Sequence, residues 1–350
     1  MTTLTETIAA LEPLVAGKPH AMLGLARMMQ EDGQSAKALD LCHSALRLAP
    51  EDGKLAAKIT DFITRTVPGW HFYMLRDEMR IAAYDAALRR AVTSESRVLE
   101  IGTGTGILAM MAARAGARSV VTCEMTPAIA TQAAAIIAQN GYADRVRVVA
   151  KHSHKLDAET DLDGRADILV SEIIGNSLIN ESVLPAHEHA VRHLLKPQGR
   201  VIPARGAVRV ALAHYALDVQ DLRNVAGFNL SAFRSLARPV RRVSVGDRGL
   251  TLRGDPADLF EFDFASAQYC SPAQTSLELV STGDEVNAVV QWIAFTLDEA
   301  THYENCPASR RTSAWAAMLY PLAAAVHTVP GEKICIFGAH DRQRLTIWTE

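Results

Sequence analysis

None of the five cysteines, Cys42, Cys123, Cys270, Cys306 and Cys335, stands in a C-x-x-C arrangement with another. Scattered singly, they exclude a disulfide framework and a zinc knuckle, and their spacing predicts reduced, buried thiols. Also lacking is any apolar run long enough to span a bilayer, and Met1-Thr2-Thr3-Leu4-Thr5-Glu6 has neither the basic head nor the apolar core of an export signal. The expectation is a cytoplasmic protein with no membrane partner. Neither sign of charge dominates: the formal net charge is -3 and the basic clusters are short, so no stripe follows a phosphate backbone and no nucleic acid is expected as a partner. What remains is an ordinary globular mixture, 49% apolar and 21% charged over 350 residues, enough for sizeable cores.

Glycine makes the sequence specific. The apolar segment Val98-Leu99-Glu100-Ile101 runs into Gly102, Gly104 and Gly106 and then into a stretch rich in Ala, Met and Leu. A strand entering a helix through bare backbone lets a ligand sit against the helix N-terminus. Dinucleotide folds space their glycines as G-x-G-x-x-G to cradle a pyrophosphate, whereas here they alternate. Ser119 to Cys123 reads as the next strand and ends in Glu124, placed to hold both ribose hydroxyls of a nucleoside. A mere strand-to-helix turn would explain the glycines and leave Glu124 without a reason. The alternating glycines opened by Glu100 resemble motif I of the S-adenosylmethionine-dependent methyltransferases, which implies that cofactor.

Before this segment, residues 21–50 resemble one tetratricopeptide repeat, with Leu25, Ala26, Gly33, Ala38, Cys42, Ala45 and Pro50 at its small and apolar positions. One repeat cannot bury its own faces, so this TPR-like α-helical region, residues 1–66, should dock on the catalytic body or on a partner. A plain helical hairpin extending the catalytic domain is the alternative. Met74, Leu75, Ile81, Tyr84 and Leu88 predict a helix over residues 70–90. Further strands at 146–150 and 166–170, with a helix at 128–139, predict a doubly wound α/β sheet over residues 67–203. A helix at 186–195 should stop at Pro197 and Gly199. Alternating segments at 208–212, 259–264, 289–295 and 334–337 then predict a β-barrel-like substrate domain, residues 204–350, with a helical insertion at 222–236.

Ligands of an open α/β sheet bind beyond the carboxyl ends of its strands, and Glu172 stands just past the fourth. Glu181 follows nine residues later across a short loop. Two carboxylates closing on one another repel, and one tends to hold a proton unless a cation sits between them. A guanidinium suits the place: it is planar, stays charged, and offers paired N–H donors. Drawing the positive charge toward the nitrogens held by Glu172 and Glu181 would leave the remaining terminal nitrogen free to attack a methyl group, catalysis being largely positioning and electrostatics. Helix capping is the alternative role for two loop glutamates.

Ser171-Glu172 through Glu181 matches the double-glutamate loop of the protein arginine methyltransferases, and the chain resembles that family from about Trp70 onward. The segment His71 to Arg80 resembles its cofactor-covering helix. The resemblance implies that Arg80 pairs with the cofactor carboxylate, that His71 lies near the cofactor, and that Met74 lines the transfer pocket. It also implies that Val225 to Ser231, within a segment of about 216–240, is a dimerisation arm, hence a homodimer. Residues 184–194 are most similar to the monomethylating subfamily. The family's Thr-His-Trp loop is replaced by Ser313-Ala314-Trp315, so Trp315 is left to wall the arginine channel and Asp77 is expected to lose its histidine partner. Ser153-His154-Lys155 stands where an acid usually meets the adenine, leaving His154 or backbone for that task. His187, His189 and His193 form no H-E-x-x-H order, and solvated helix histidines rather than metal ligands are expected. The expected guest is arginine in a protein or peptide. Free arginine or a small guanidine is the alternative, and a non-catalytic cofactor-sensing module the competing class.

Overall fold

The computed structural model describes residues 3–66, 69–216, 224–236, 240–309 and 311–349. In chain order the helices are α1 (Leu4–Val15), α2 (Pro19–Glu31), α3 (Ser35–Leu48), α4 (Gly53–Thr66), α5 (Trp70–Met74), α6 (Glu78–Ala91), α7 (Ile107–Arg114), α8 (Pro127–Gln139) and α9 (Val183–His193). The first five strands are β1 (Arg97–Ile101), β2 (Ser119–Cys123), β3 (Val146–Val149), β4 (Ala166–Ser171) and β5 (Leu195–Ile202). Then follow β6 (Arg205–Tyr215), β7 (Arg241–Val243), β8 (Leu250–Leu252), β9 (Ala257–Asp263), β10 (Ala273–Val280), β11 (Asp284–Asp298), β12 (Thr301–Glu304), β13 (Ala317–Thr328), β14 (Lys333–His340) and β15 (Leu345–Thr349). Two compact units interleave along the chain, residues 1–73 with 93–164, and residues 74–92 with 165–350.

In the first unit the N-terminal helices share a core of Leu25, Ala26, Ala38, Cys42, Ala45, Leu55 and Ile59. Ala26, Ala38, Cys42 and Ala45 are fully buried, and their small side chains let α2 and α3 close on one another after a turn at Gly33, whose φ of 76° suits glycine. Helix α3 also lies against α8, so these helices dock on their own unit, one of the two expected outcomes. Strands β1, β2 and β3 pair in parallel, Leu99 opposite Val121 and Val121 opposite Arg147. Val98, Leu99, Val120 and Val121 are all buried, as near-continuous apolar runs are in a sheet covered on both faces.

In the second unit β5 pairs in parallel with β4, a strand absent from the sequence reading because Pro197 and Gly199 read as a stop. The ladder accommodates them by a bulge between the pairs Ala166–Leu195 and Ile168–Arg200, with Gln198 at a φ of 63°. The helix expected at 186–195 therefore ends at His193. Antiparallel strands run in the order β7-β13-β11-β6-β8, with β12 on β11 and β9 on β6, while β10-β14-β15 form a second sheet. Ala211, Ala213, Ala288 and Ala317 make room for the fully buried Trp292. The single helix expected over 70–90 is broken, because the Asp77 carboxylate accepts from the Arg80 N–H and caps α6.

Gly106 has a φ of 80°, and a Cβ there would lie 2.9 Å from Ile137 of α8. Gly106→Ala should destabilise the protein by about 1–3 kcal/mol. Urea unfolding with an unchanged midpoint would show instead that the turn relaxes.

Candidate active site

The glycine turn belongs to the first unit. The N–H groups of Gly102 and Thr103 both donate to the Cys123 carbonyl at 3.1 Å, so the end of β1 is tied to the end of β2. Gly106 N–H donates to the Thr103 carbonyl at 2.7 Å and caps α7 from a left-handed conformation. Below the turn, Thr122 donates to Glu100 at 2.5 Å and its hydroxyl meets that of Thr103 at 2.6 Å, a chain of buried hydroxyls that satisfies a buried acid. Glu124 turns its carboxylate toward the glycines, accepting from Gly104 N–H at 3.3 Å and Thr126 N–H at 2.9 Å. Gly104 has a φ of 52° and open space where a Cβ would stand, so its backbone is accessible to a ligand. His71 is half-buried within reach of the Glu124 charge: burial lowers its pKa and Glu124 opposes the shift. His154 is exposed on a single 3-10 turn just after β3, its ring 5.1 Å from that of His152. The sequence-named residues Gly102, Gly104, Gly106, Glu124 and His71 thus gather in one unit, at the carboxyl ends of its strands.

The two glutamates belong to the second unit. Glu172 follows β4 directly and is held by Arg80 of α6, Nη1 to Oε2 at 2.7 Å. Arg80 donates through Nη2 to the Met74 carbonyl at 2.6 Å, while its buried Nε has no hydrogen-bond partner among the described residues. Burial raises the Glu172 carboxyl to about 8, with Arg80 pulling it down and Glu181 and Asp77 pushing it up. Glu181 is exposed, near enough to Glu172 to raise it, and its own pKa is raised by desolvation. The intervening loop is anchored to the larger antiparallel sheet and the segment that leads into it. Trp315 donates from Nε1 to the Ile174 carbonyl at 2.6 Å, Ala316 N–H donates to Asn176 at 2.8 Å, and Gln291 donates to the Asn176 carbonyl at 3.1 Å. A Cβ on Gly175 would lie 2.3 Å from the Asn180 amide, so a larger residue there would displace that side chain. Trp315 is buried, with the Arg80 guanidinium 5.8 Å from its ring centre.

With Ala314 in place of a histidine, the Asp77 carboxylate accepts instead from Tyr303 OH at 2.5 Å and from Ala314 N–H at 3.0 Å. Tyr303 stacks on Phe295 and meets Trp315 edge-on, and burial together with Asp77 raises its phenol pKa, so it stays a donor. No spacing rule could have found a partner 226 residues away. One expectation needs correction: His187 is not solvated but 1% exposed, because α9 turns it inward, whereas His193 is exposed. Among the described residues no group of His, Cys, Asp and Glu is arranged to hold a metal.

Comparison with known proteins follows the same outline. Residues 79–204 match the family model described as ribosomal protein L11 methyltransferase (PrmA). An arginine N(omega)-methyltransferase from Streptomyces achromogenes subsp. streptozoticus is 36% identical over 91% of this chain and 89% of its own length. The chain belongs to the protein arginine methyltransferase family. Within that family, protein arginine N-methyltransferase 7 from Drosophila grimshawi is 34% identical over 65% of the chain, and the chain spans 35% of that longer protein. The Trypanosoma brucei PRMT1 enzyme–prozyme heterotetrameric complex with AdoHcy superposes with a TM-score of 0.70 at 25% identity, covering 80% of this chain and 91% of the other. Protein arginine methyltransferase 10 of Arabidopsis thaliana shares the fold at a TM-score of 0.66, with 18% identity over 79% and 90% of the two chains.

For this arginine methyltransferase the raised Glu172 carboxyl has a measurable sign. Its folded pKa of about 8 exceeds the ordinary 4.5, so its contribution to stability is fully present below 4.5 and is lost as pH rises through about 8. In the cofactor-free protein, melting temperatures followed across that window should show the wild type losing ground to Glu172→Gln. A pH-independent difference between the two would contradict the shift.

Proposed function

We propose that this protein transfers a methyl group from S-adenosylmethionine to a terminal guanidino nitrogen of arginine. The observation that carries this reading is a guanidinium already seated on Glu172: Arg80 shows that the carboxylate accepts that group at 2.7 Å. The glycine turn supports the cofactor assignment, since Gly104 offers open backbone and Glu124 stands ready for the ribose hydroxyls. By the family resemblance Arg80 would pair with the cofactor carboxylate. His71 would lie beside the cofactor, and His154 would face the adenine. When bound, the cofactor supplies an electrophilic methyl on a sulfonium sulfur, which is left as a neutral thioether.

The protein's own part is to hold and polarise the guanidinium. Glu172 and Glu181 accept its N–H groups, draw the positive charge toward the nitrogens they hold, and leave one terminal nitrogen to point at the methyl. The incoming cation lowers the raised carboxyl pKa values, so charge is drawn into the site by the substrate itself. Once the new N–C bond forms, the surplus proton leaves to Glu181 or water. Met74 and Trp315 border the arginine channel. Monomethylation of a protein or peptide arginine is supported by the similarity to protein arginine N-methyltransferase 7. Free arginine is favoured by a different observation: the relative aligned over 91% of the chain is named for arginine, without the word protein.

Mass spectrometry after incubation with S-adenosylmethionine should show a gain of one methyl on an arginine-rich peptide or on free L-arginine. The reactive probe decides between the substrates. Glu172→Gln should reduce kcat by about 10²–10³-fold. A loss under threefold would remove the pincer from the mechanism, and cofactor binding without methylation of either probe would favour a non-catalytic module.

Helices α1–α4 act in this reading as a TPR-like scaffold docked on α8. We assign the dimerisation arm to residues around Val225–Ser231, the parts at 217–223 and 237–239 lying outside the described residues. Val225 and Phe228 exchange backbone hydrogen bonds at 2.9 and 3.0 Å in a tight turn, and Phe228 there and Phe233 in the 3-10 segment Ser231–Leu236 that follows are each 70% exposed. Two such aromatics on one short arm suit burial against a second copy. Light scattering should find a dimer for the wild type and a monomer for Phe228→Asp/Phe233→Asp. A dimer unaffected by both substitutions would exclude the arm.

A further inference from the structure

His187 is a fully buried histidine in α9 that the methyl-transfer chemistry leaves unused. Its Nε2 lies 2.6 Å from the Ser171 hydroxyl and its Nδ1 lies 3.3 Å from the Phe264 carbonyl. A carbonyl can only accept, so Nδ1 carries the proton and Nε2 is the acceptor for the serine O–H. Burial lowers the histidine to about 4, which keeps the ring neutral and this tautomer in place at neutral pH. Ser171 is the last residue of β4, and Glu172 is the next residue.

The backbone of Ser171 is held as well. Its carbonyl accepts from Tyr84 OH at 2.9 Å, and Tyr84 stands one helical turn after Arg80, which grips Glu172. Helix α6 thus clamps Ser171 and Glu172 from one side while α9 pins the serine side chain from the other. An apolar pair in place of Ser171 and His187 would fill the same space without burying two polar groups. The polar pair instead gives the strand end one allowed orientation, immediately before the acid that must meet a guanidinium squarely.

We propose that His187 is a positioning residue for methyl transfer, fixing through Ser171 the backbone from which Glu172 reaches the substrate. The proposal rests on the arginine-methylation reading, so wild-type turnover with S-adenosylmethionine and either free L-arginine or an arginine-rich peptide comes first. No wild-type turnover on either probe fails that reading and this one with it. Given turnover, Ser171→Ala should lower kcat about tenfold, since small misplacements of a catalytic group cost rate steeply. KM for the arginine probe and cofactor affinity should stay close to wild type, while the melting temperature falls because the buried His187 Nε2 loses its donor. His187→Gln should do the same, and the double variant should be no slower than either single one, as expected for two members of one unit. Ser171→Ala is the smaller change and keeps the test open if the histidine variant fails to fold. Nitrogen NMR of the wild type should show the His187 ring protonated on Nδ1. Unchanged kcat in Ser171→Ala, a loss of cofactor affinity as large as the loss of kcat, additive effects, or an Nε2–H tautomer would each overturn the assignment.

Discussion

A buried carboxylate must be matched by charge or by donors, and the second unit is built around that requirement. Glu172 is within electrostatic reach of Arg80 and of two further acids, Asp77 and Glu181. Asp77 is satisfied by Tyr303, by Ala314 and by the helix it caps, and Arg80 is divided between Glu172 and the Met74 carbonyl. Burial raises the Glu172 carboxyl, and because acids exceed cations in this cluster Arg80 does not bring it back down. A second guanidinium relieves the imbalance, whereas an anion would worsen it and a neutral amide would leave it as it was.

What the sequence made legible were features that are local or periodic. The alternating glycines, the acid closing the second strand and the nine-residue glutamate spacing are all short-range patterns, and each maps onto a strand end. Strand β5 was illegible because its proline and glycine are stop signals unless a bulge absorbs them, and whether one does depends on the partner strand. The break before α6 was carried by Asp77, whose capping role competed with an apolar pattern that ran through it. Tyr303 and His187 are further from prediction still. Their partners, Asp77 and Ser171, are brought near by the larger antiparallel sheet and by α9, and nothing in the neighbouring sequence marks them.

The larger antiparallel sheet contributes rigidity to the acid loop. Trp315, Ala316 and Gln291 come from two neighbouring strands and their approach, and they bind loop backbone and the Asn176 side chain rather than the glutamates themselves. The loop's geometry is thereby set by a framework whose own core is filled by Trp292 among alanines. Replacing the expected histidine with Ala314 leaves this framework intact, because the contact to Asp77 passes to a backbone N–H and to a phenol.

Helix α6 precedes the glycine turn in the chain yet belongs with residues 165–350. During synthesis Arg80 emerges well before Glu172, and Asp77 well before Tyr303, so both must remain hydrated until late segments arrive. The first unit is meanwhile interrupted by a segment it does not keep. Such non-local pairing raises contact order and slows folding, and it means that no single cut in the chain separates the two units into contiguous fragments.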